Sequence, residues 1–158
     1  MKTEFRKNTR LKNYDYAANG YYFVTVVTRN RQPFLCSGGY KPAIEECVKR
    51  LPEFISGLSI DWFVVMDNHV HIIFVFEGCA RPLGRVVAAM KSAITKIVLS
   101  SGGRESAPEE GDLHRPLQLW EWNYYEHVIR NEKALSKIRE YIQNNPEAEK
   151  LNWDELDV

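Results

Sequence analysis

One short run constrains the architecture more than any other: Val64-Val65-Met66-Asp67-Asn68-His69-Val70-His71-Ile72-Ile73-Phe74. β-Branched and aromatic residues flank an Asp-Asn pair, the pattern of two strands folded back across a tight turn. Residues 58–66 and 69–76 are therefore expected to form a β-hairpin. Side chains alternate along a strand, so His69 and His71 leave one face while Val70 and Ile72 leave the other, toward a core. Two imidazoles one residue apart on one face make half of a metal site. Surface histidines beside a turn are the plainer account.

Residues 21–28 are rich in β-branched and aromatic types and read as a first strand. Ile44, Cys47, Val48 and Leu51 recur at helical spacing, which predicts a helix from Pro42 to a stop near Pro52. A second amphipathic helix is expected over 83–99, with Val86, Val87, Met90, Ile94 and Ile97 inward and Arg85, Ser92 and Lys96 aligned on the opposite side. Residues 100–116 are rich in Ser, Gly, Pro and Glu and read as a flexible loop. A fourth strand is expected at 117–122 or slightly beyond. The order β-α-β-β-α-β is that of a ferredoxin-like antiparallel sheet, an α+β fold, here with one further helix at 132–144.

That last helix carries the second chemical signal. Asn131 suits an N-cap, Ala134, Leu135, Ile138 and Ile142 form an apolar stripe, and Pro146 ends the run. Tyr141 and Asn145 are four residues apart and so lie one above the other. A phenol able to attack then sits one turn from an amide oxygen able to bind a metal. Taken alone, Tyr141 borders the apolar stripe and reads more readily as a core tyrosine than as a nucleophile.

Length suits a single domain over residues 1–158. No apolar run reaches the length of a membrane span, and the N-terminus is charged rather than signal-like, so no membrane partner is expected. Cys36, Cys47 and Cys79 are odd in number and lack zinc-ligand spacing, which suits reduced thiols in a cytoplasm. Lys and Arg balance Asp and Glu at 21 each, but the charges are segregated. Lys2, Arg6, Lys7, Arg10 and Lys12 form a basic arm over 1–12, and Arg81, Arg85, Lys91, Lys96 and Arg104 follow Gly78 with no acid between them. Acids collect in 105–112 and in the tail 147–158. Such segregation permits a basic nucleic-acid face on a neutral chain.

Together these motifs resemble the single-tyrosine HUH transposases, and among them the REP-associated tyrosine transposases, of the IS200-like kind. The resemblance rests on His69-Val70-His71 after Met66-Asp67-Asn68, and on Tyr141 with Asn145 before Pro146. It also rests on Tyr14-Asp15-Tyr16, Tyr22-Phe23-Val24-Thr25 with Arg31, Met90-Lys91-Ser92, and Trp122 to Arg130. It spans roughly residues 10–146. Asp67 stands where such proteins frequently have proline, and the acidic tail is a second departure.

The resemblance implies a transesterification on single-stranded DNA bearing a hairpin. Tyr141 would be the nucleophile, and His69, His71 and Asn145 would hold one divalent ion, magnesium or manganese. Arg6, Lys7 and Arg10 would lie near unpaired bases, and Arg85 and Lys96 would track backbone phosphates. Relatives act as monomers or as homodimers. A phenol with an ordinary pKa near 10 needs a nearby metal or base, and the sequence names no base. Metal-binding imidazoles must be neutral, so activity is expected to fall below about pH 6. The alternatives are a domesticated hairpin-binding protein without turnover, and a metallohydrolase indifferent to Tyr141.

Overall fold

The computed structural model describes residues 11–36, 39–100 and 119–144. Arg6, Lys7, Arg10, Asn145, the loop beyond Ser100 and the tail 147–158 lie outside them. The described elements run β1 (Gly20–Val27), α1 (Lys41–Phe54), β2 (Leu58–Val65), β3 (His69–Phe76), α2 (Leu83–Ser100), β4 (Tyr125–Ile129) and α3 (Glu132–Gln143). The strands form one antiparallel sheet in the order β2-β3-β1-β4. This is the split βαβ arrangement of a ferredoxin-like α+β fold with an added C-terminal helix.

The sheet separates two apolar layers, and strand alternation decides which residue enters which. Tyr22, Val24 and Val26 of β1 and Val70, Ile72 and Phe74 of β3 face α1 and α2, meeting Ile44, Val48, Val86, Met90 and Ile94. Phe23 and Ile73 face the other way, where Ala134, Leu135, Ile138 and Ile142 of α3 cover them. Among the described residues, α3 is the one helix on that side of the sheet. β3 is paired on both edges and covered on both faces, so residues 70–74 are all buried. Asn131 caps α3 as its residue type suggests, its side chain accepting from Ala134 N at 2.8 Å.

Three boundaries differ from the sequence expectation. The fourth strand is Tyr125–Ile129, later than the expected 117–122, of which residues 117 and 118 lie outside the described residues. Trp120 forms only an isolated bridge to Thr28, because its indole is drawn sideways onto α2. There Nε1 donates to Lys91 O at 3.1 Å and Thr95 Oγ1 at 3.0 Å. The chain then loops out through 122–124 and re-enters beside Tyr21–Thr25. In α1, Pro52 does not end the helix, which continues to Phe54. Proline so near the C-terminus forfeits one backbone bond in the final turn rather than breaking a run.

The third difference is in β2. Ile60 pairs with Phe74 but Trp62 pairs with Ile73, so one residue, Asp61, is extra. This β-bulge keeps Leu58 and Ile60 before it, and Phe63 and Val65 after it, on the α1/α2 face. No described helix is long and apolar enough to cross a membrane.

Candidate active site

His69 and His71 open β3 on the face that carries α3, with ring centroids 4.6 Å apart. The register places Thr25 beside His71, and Tyr125 beyond Thr25, on the same face. His71 is 5% exposed, which removes the account of both histidines as surface residues. Phe23 stacks on His71 at 5.5 Å between centroids and seals it from below.

Both rings are held through Nδ1. Asn68 Oδ1 lies 2.6 Å from His69 Nδ1, and a carbonyl oxygen only accepts, so Nδ1 carries the proton. The amide orientation is fixed in turn by its Nδ2, which donates to Arg31 O at 3.3 Å. His71 Nδ1 is 2.8 Å from Thr25 Oγ1. With the hydroxyl accepting there, Nε2 of each ring is left as the nitrogen with a lone pair. Metal-binding histidines are oriented by such outer partners.

Electrostatics agree with that role. Burial first, and then the neighbouring His69, push His71 down to about 3. His69 is also lowered, first by burial and then by the charge of Arg31, with Asp67 acting in the opposite sense. The His71 imidazole therefore stays neutral well below the pH 6 threshold expected from ordinary histidines, and His69 is shifted in the same direction. Among the described residues no third His, Cys, Asp or Glu joins the pair. Two nitrogens alone do not complete a shell, so the set fits an ion that also takes oxygen ligands from an amide or a phosphate.

Tyr141 approaches from α3. Its ring meets His71 edge-on at 5.4 Å between centroids and Phe23 at 6.4 Å. Two motifs from opposite ends of the chain thus become neighbours. What holds the helix at this height is Asp61, the extra residue of the bulge. Its carboxylate takes Arg139 in a two-pronged pair, Nε donating to Oδ2 at 2.8 Å and Nη2 to Oδ1. The Asp61 side chain is 13% exposed and that of Arg139 40%, so the pair adds only about 1 kcal/mol to folding.

Its effect on geometry is larger. Asp61→Ala is expected to leave the global midpoint nearly unchanged while α3 amides exchange faster than those of β3. If Tyr141 is the reacting group, cleavage should slow by about ten- to a hundred-fold, since displacement of a reacting group by 1 Å costs that much. Unchanged exchange in α3 would refute the clamp.

Of the other expected residues, Arg85 and Lys96 are exposed on α2, on the opposite side of the sheet from Tyr141. Arg6, Lys7, Arg10 and Asn145 lie outside the described residues. The sequence reasoning gave no role to Thr25, Asn68, Phe23 and Asp61. The phase break in Leu58-Ser59-Ile60-Asp61-Trp62-Phe63-Val64-Val65, where apolar residues change from even to odd positions, was the available sign of the bulge. Exposed aromatics on this face of the sheet are Tyr125 at 37% and Trp62 at 42%.

Comparison with known proteins gives a consistent result. A protein of Haemophilus influenzae (strain Rd), itself uncharacterised, is 30% identical over 173 residues, covering 89% of this chain and 88% of that one. Among solved structures, a REP-associated tyrosine transposase bound to a REP hairpin matches with a TM-score of 0.59 and 21% identity, over 87% of this chain and 72% of that one. A candidate transposase from Deinococcus radiodurans R1 matches with a TM-score of 0.55 and 19% identity, over 85% and 97%. These structures share the fold described above. The family model described as transposase IS200 like matches residues 16–145, from Tyr16 before β1 to Asn145, beyond the end of α3 at Gln143. With His69, His71 and Tyr141 inside that span and gathered on one face of the sheet, the chain belongs to the IS200-like transposase family.

Proposed function

We propose that the protein is a metal-dependent single-stranded DNA endonuclease and strand transferase that acts on hairpin-bearing DNA through a 5′-phosphotyrosine intermediate. The observation that carries this reading is the 5.4 Å edge-on contact of Tyr141 with His71. Tyr141 Oη attacks the scissile phosphorus in line, forming the P–Oη bond as the P–O3′ bond breaks. The phenolic proton passes to water or a base, and the upstream strand leaves with a free 3′-OH. Because the phosphodiester is conserved, an incoming 3′-OH reverses the exchange without ATP.

His69 and His71, through Nε2, and Asn145 would hold one magnesium or manganese ion. When bound, such an ion neutralises charge on the non-bridging phosphate oxygens and orients the phosphorus. Asn68 and Thr25 aim the two rings, and Phe23 keeps water from the buried side of His71. Tyr141 meets His71 of its own chain, which favours one copy supplying both parts of the site.

A hairpin substrate is proposed because a structurally similar transposase has been seen bound to a REP hairpin. Arg85 and Lys96 stand on the far side of the sheet, so they suit the backbone of a stem rather than the scissile phosphate. Arg6, Lys7 and Arg10 of the basic arm are proposed to meet the unpaired bases beside it.

The test is a denaturing gel with hairpin oligonucleotides from the flanks of the gene, labelled at either end, with manganese, magnesium or chelator. A 3′ label should move to a protein-linked band, a 5′ label to a shorter free strand, and chelator should suppress both. Hairpin binding without a cut would instead indicate a binding protein. Cutting without linkage would indicate a metallohydrolase.

A further inference from the structure

We propose that Arg31 is a substrate-positioning cation of this site, its guanidinium taking a non-bridging oxygen of a DNA phosphate held beside His69. Naming DNA as the ligand rests on the function proposed above. The placement rests on the chain itself.

Asn30 and Arg31 have φ of 54° and 55°, in the left-handed region. Asparagine tolerates that conformation, but arginine gains nothing from it, and a turn needing only to reverse would use Gly or Asn there. The surroundings nevertheless enforce it. Arg31 N donates to Thr28 O at 3.0 Å. Thr28 Oγ1 donates to Gln32 O at 2.7 Å, and Asn30 N to Glu121 Oε1 at 3.0 Å. Asn68 Nδ2 then donates to Arg31 O while Asn68 Oδ1 accepts from His69 Nδ1.

One amide therefore ties the backbone of Arg31 to the ring of His69, and either group can move only with the other. The Arg31 side chain is exposed, and its charge is felt at His69. Strained non-glycine residues persist where the structure over-determines them, commonly at ligand clamps. A guanidinium offers a planar fork to phosphate oxygens, which lysine does not.

Arg31→Gly separates the turn from the charge, since glycine adopts this φ without strain. Its thermal midpoint should equal or exceed that of the wild type. Affinity for a short oligothymidylate should lose about one unit of slope in log K against log salt. Adduct formation on the hairpin should slow by about a hundred-fold, as for loss of one donor to transition-state charge. Arg31→Lys should restore the salt slope and only part of the rate.

A wild-type slope and rate in Arg31→Gly would overturn the proposal. So would a lowered midpoint with slope and rate preserved in the folded fraction, which would assign Arg31 to the turn alone. Failure of the wild type to form an adduct would reject the enzymatic reading. The oligothymidylate slope would still decide whether Arg31 binds phosphate.

Discussion

Tyr141→Phe is expected to abolish the covalent DNA product, by at least about a thousand-fold, because Tyr141 carries the phenol whose ring meets His71 and the variant has no oxygen there to form the ester. The change removes one oxygen and keeps the ring, whose edge-on packing against His71 and Phe23 needs only the aromatic carbons. The thermal midpoint should therefore move by no more than about 2 °C, and hairpin affinity should stay within a few fold. The measurement is the labelled-hairpin gel run beside a melting curve. Residual adduct at wild-type speed would transfer the nucleophile elsewhere, with Tyr125 the first candidate, since it lies across Thr25 from His71.

A second large effect is expected from His71→Gln, in two separable ways. Loss of one of the two proposed nitrogen ligands should weaken manganese binding by at least about a hundred-fold, and cleavage with it. The other effect needs no metal and follows from linkage. His71 in the folded protein titrates at about 3, against an ordinary 6.5 in the unfolded chain. Between those values the unfolded state binds the extra proton, so stability falls as the pH drops from 6.5 toward 3. It is fully present above 6.5. The slope from this residue is about 1.4 kcal/mol for each pH unit. Urea denaturation of the metal-free protein from pH 7.5 to 4 should show that slope, and His71→Gln should flatten it. Equal slopes would mean that the imidazole is hydrated and not buried as the geometry has it.

The parts of this fold legible in the sequence were those decided by local period. The alternation through Val70 and Ile72 gave the hairpin and the shared face of His69 and His71, and the stripe from Ala134 to Ile142 gave α3 with its Asn131 cap. Those decided by tertiary contact were not legible. Nothing local says that α2 and α3 cover opposite faces of the sheet, which puts Arg85 and Lys96 away from Tyr141. Trp120 has strand-like neighbours, yet it makes a single bridge to Thr28 while its indole bonds to α2, and the regular pairing resumes only at Tyr125. Burial of His71 required knowing that Phe23 would stack beneath it. The carboxylate that meets Arg139 could not be identified from the helix, because its partner lies on β2.

The bulge at Asp61 has a consequence for how this protein can change. Leave that one residue out, and Leu58-Ser59-Ile60-Trp62-Phe63-Val64-Val65 alternates without interruption, each residue keeping the partner on β3 that it has now. The ladder is thus complete without Asp61, whose carboxylate reaches Arg139 of α3. A lineage that no longer needed the tyrosine helix held in place could drop the tether in a single deletion and keep its core, its hairpin and its histidines in register.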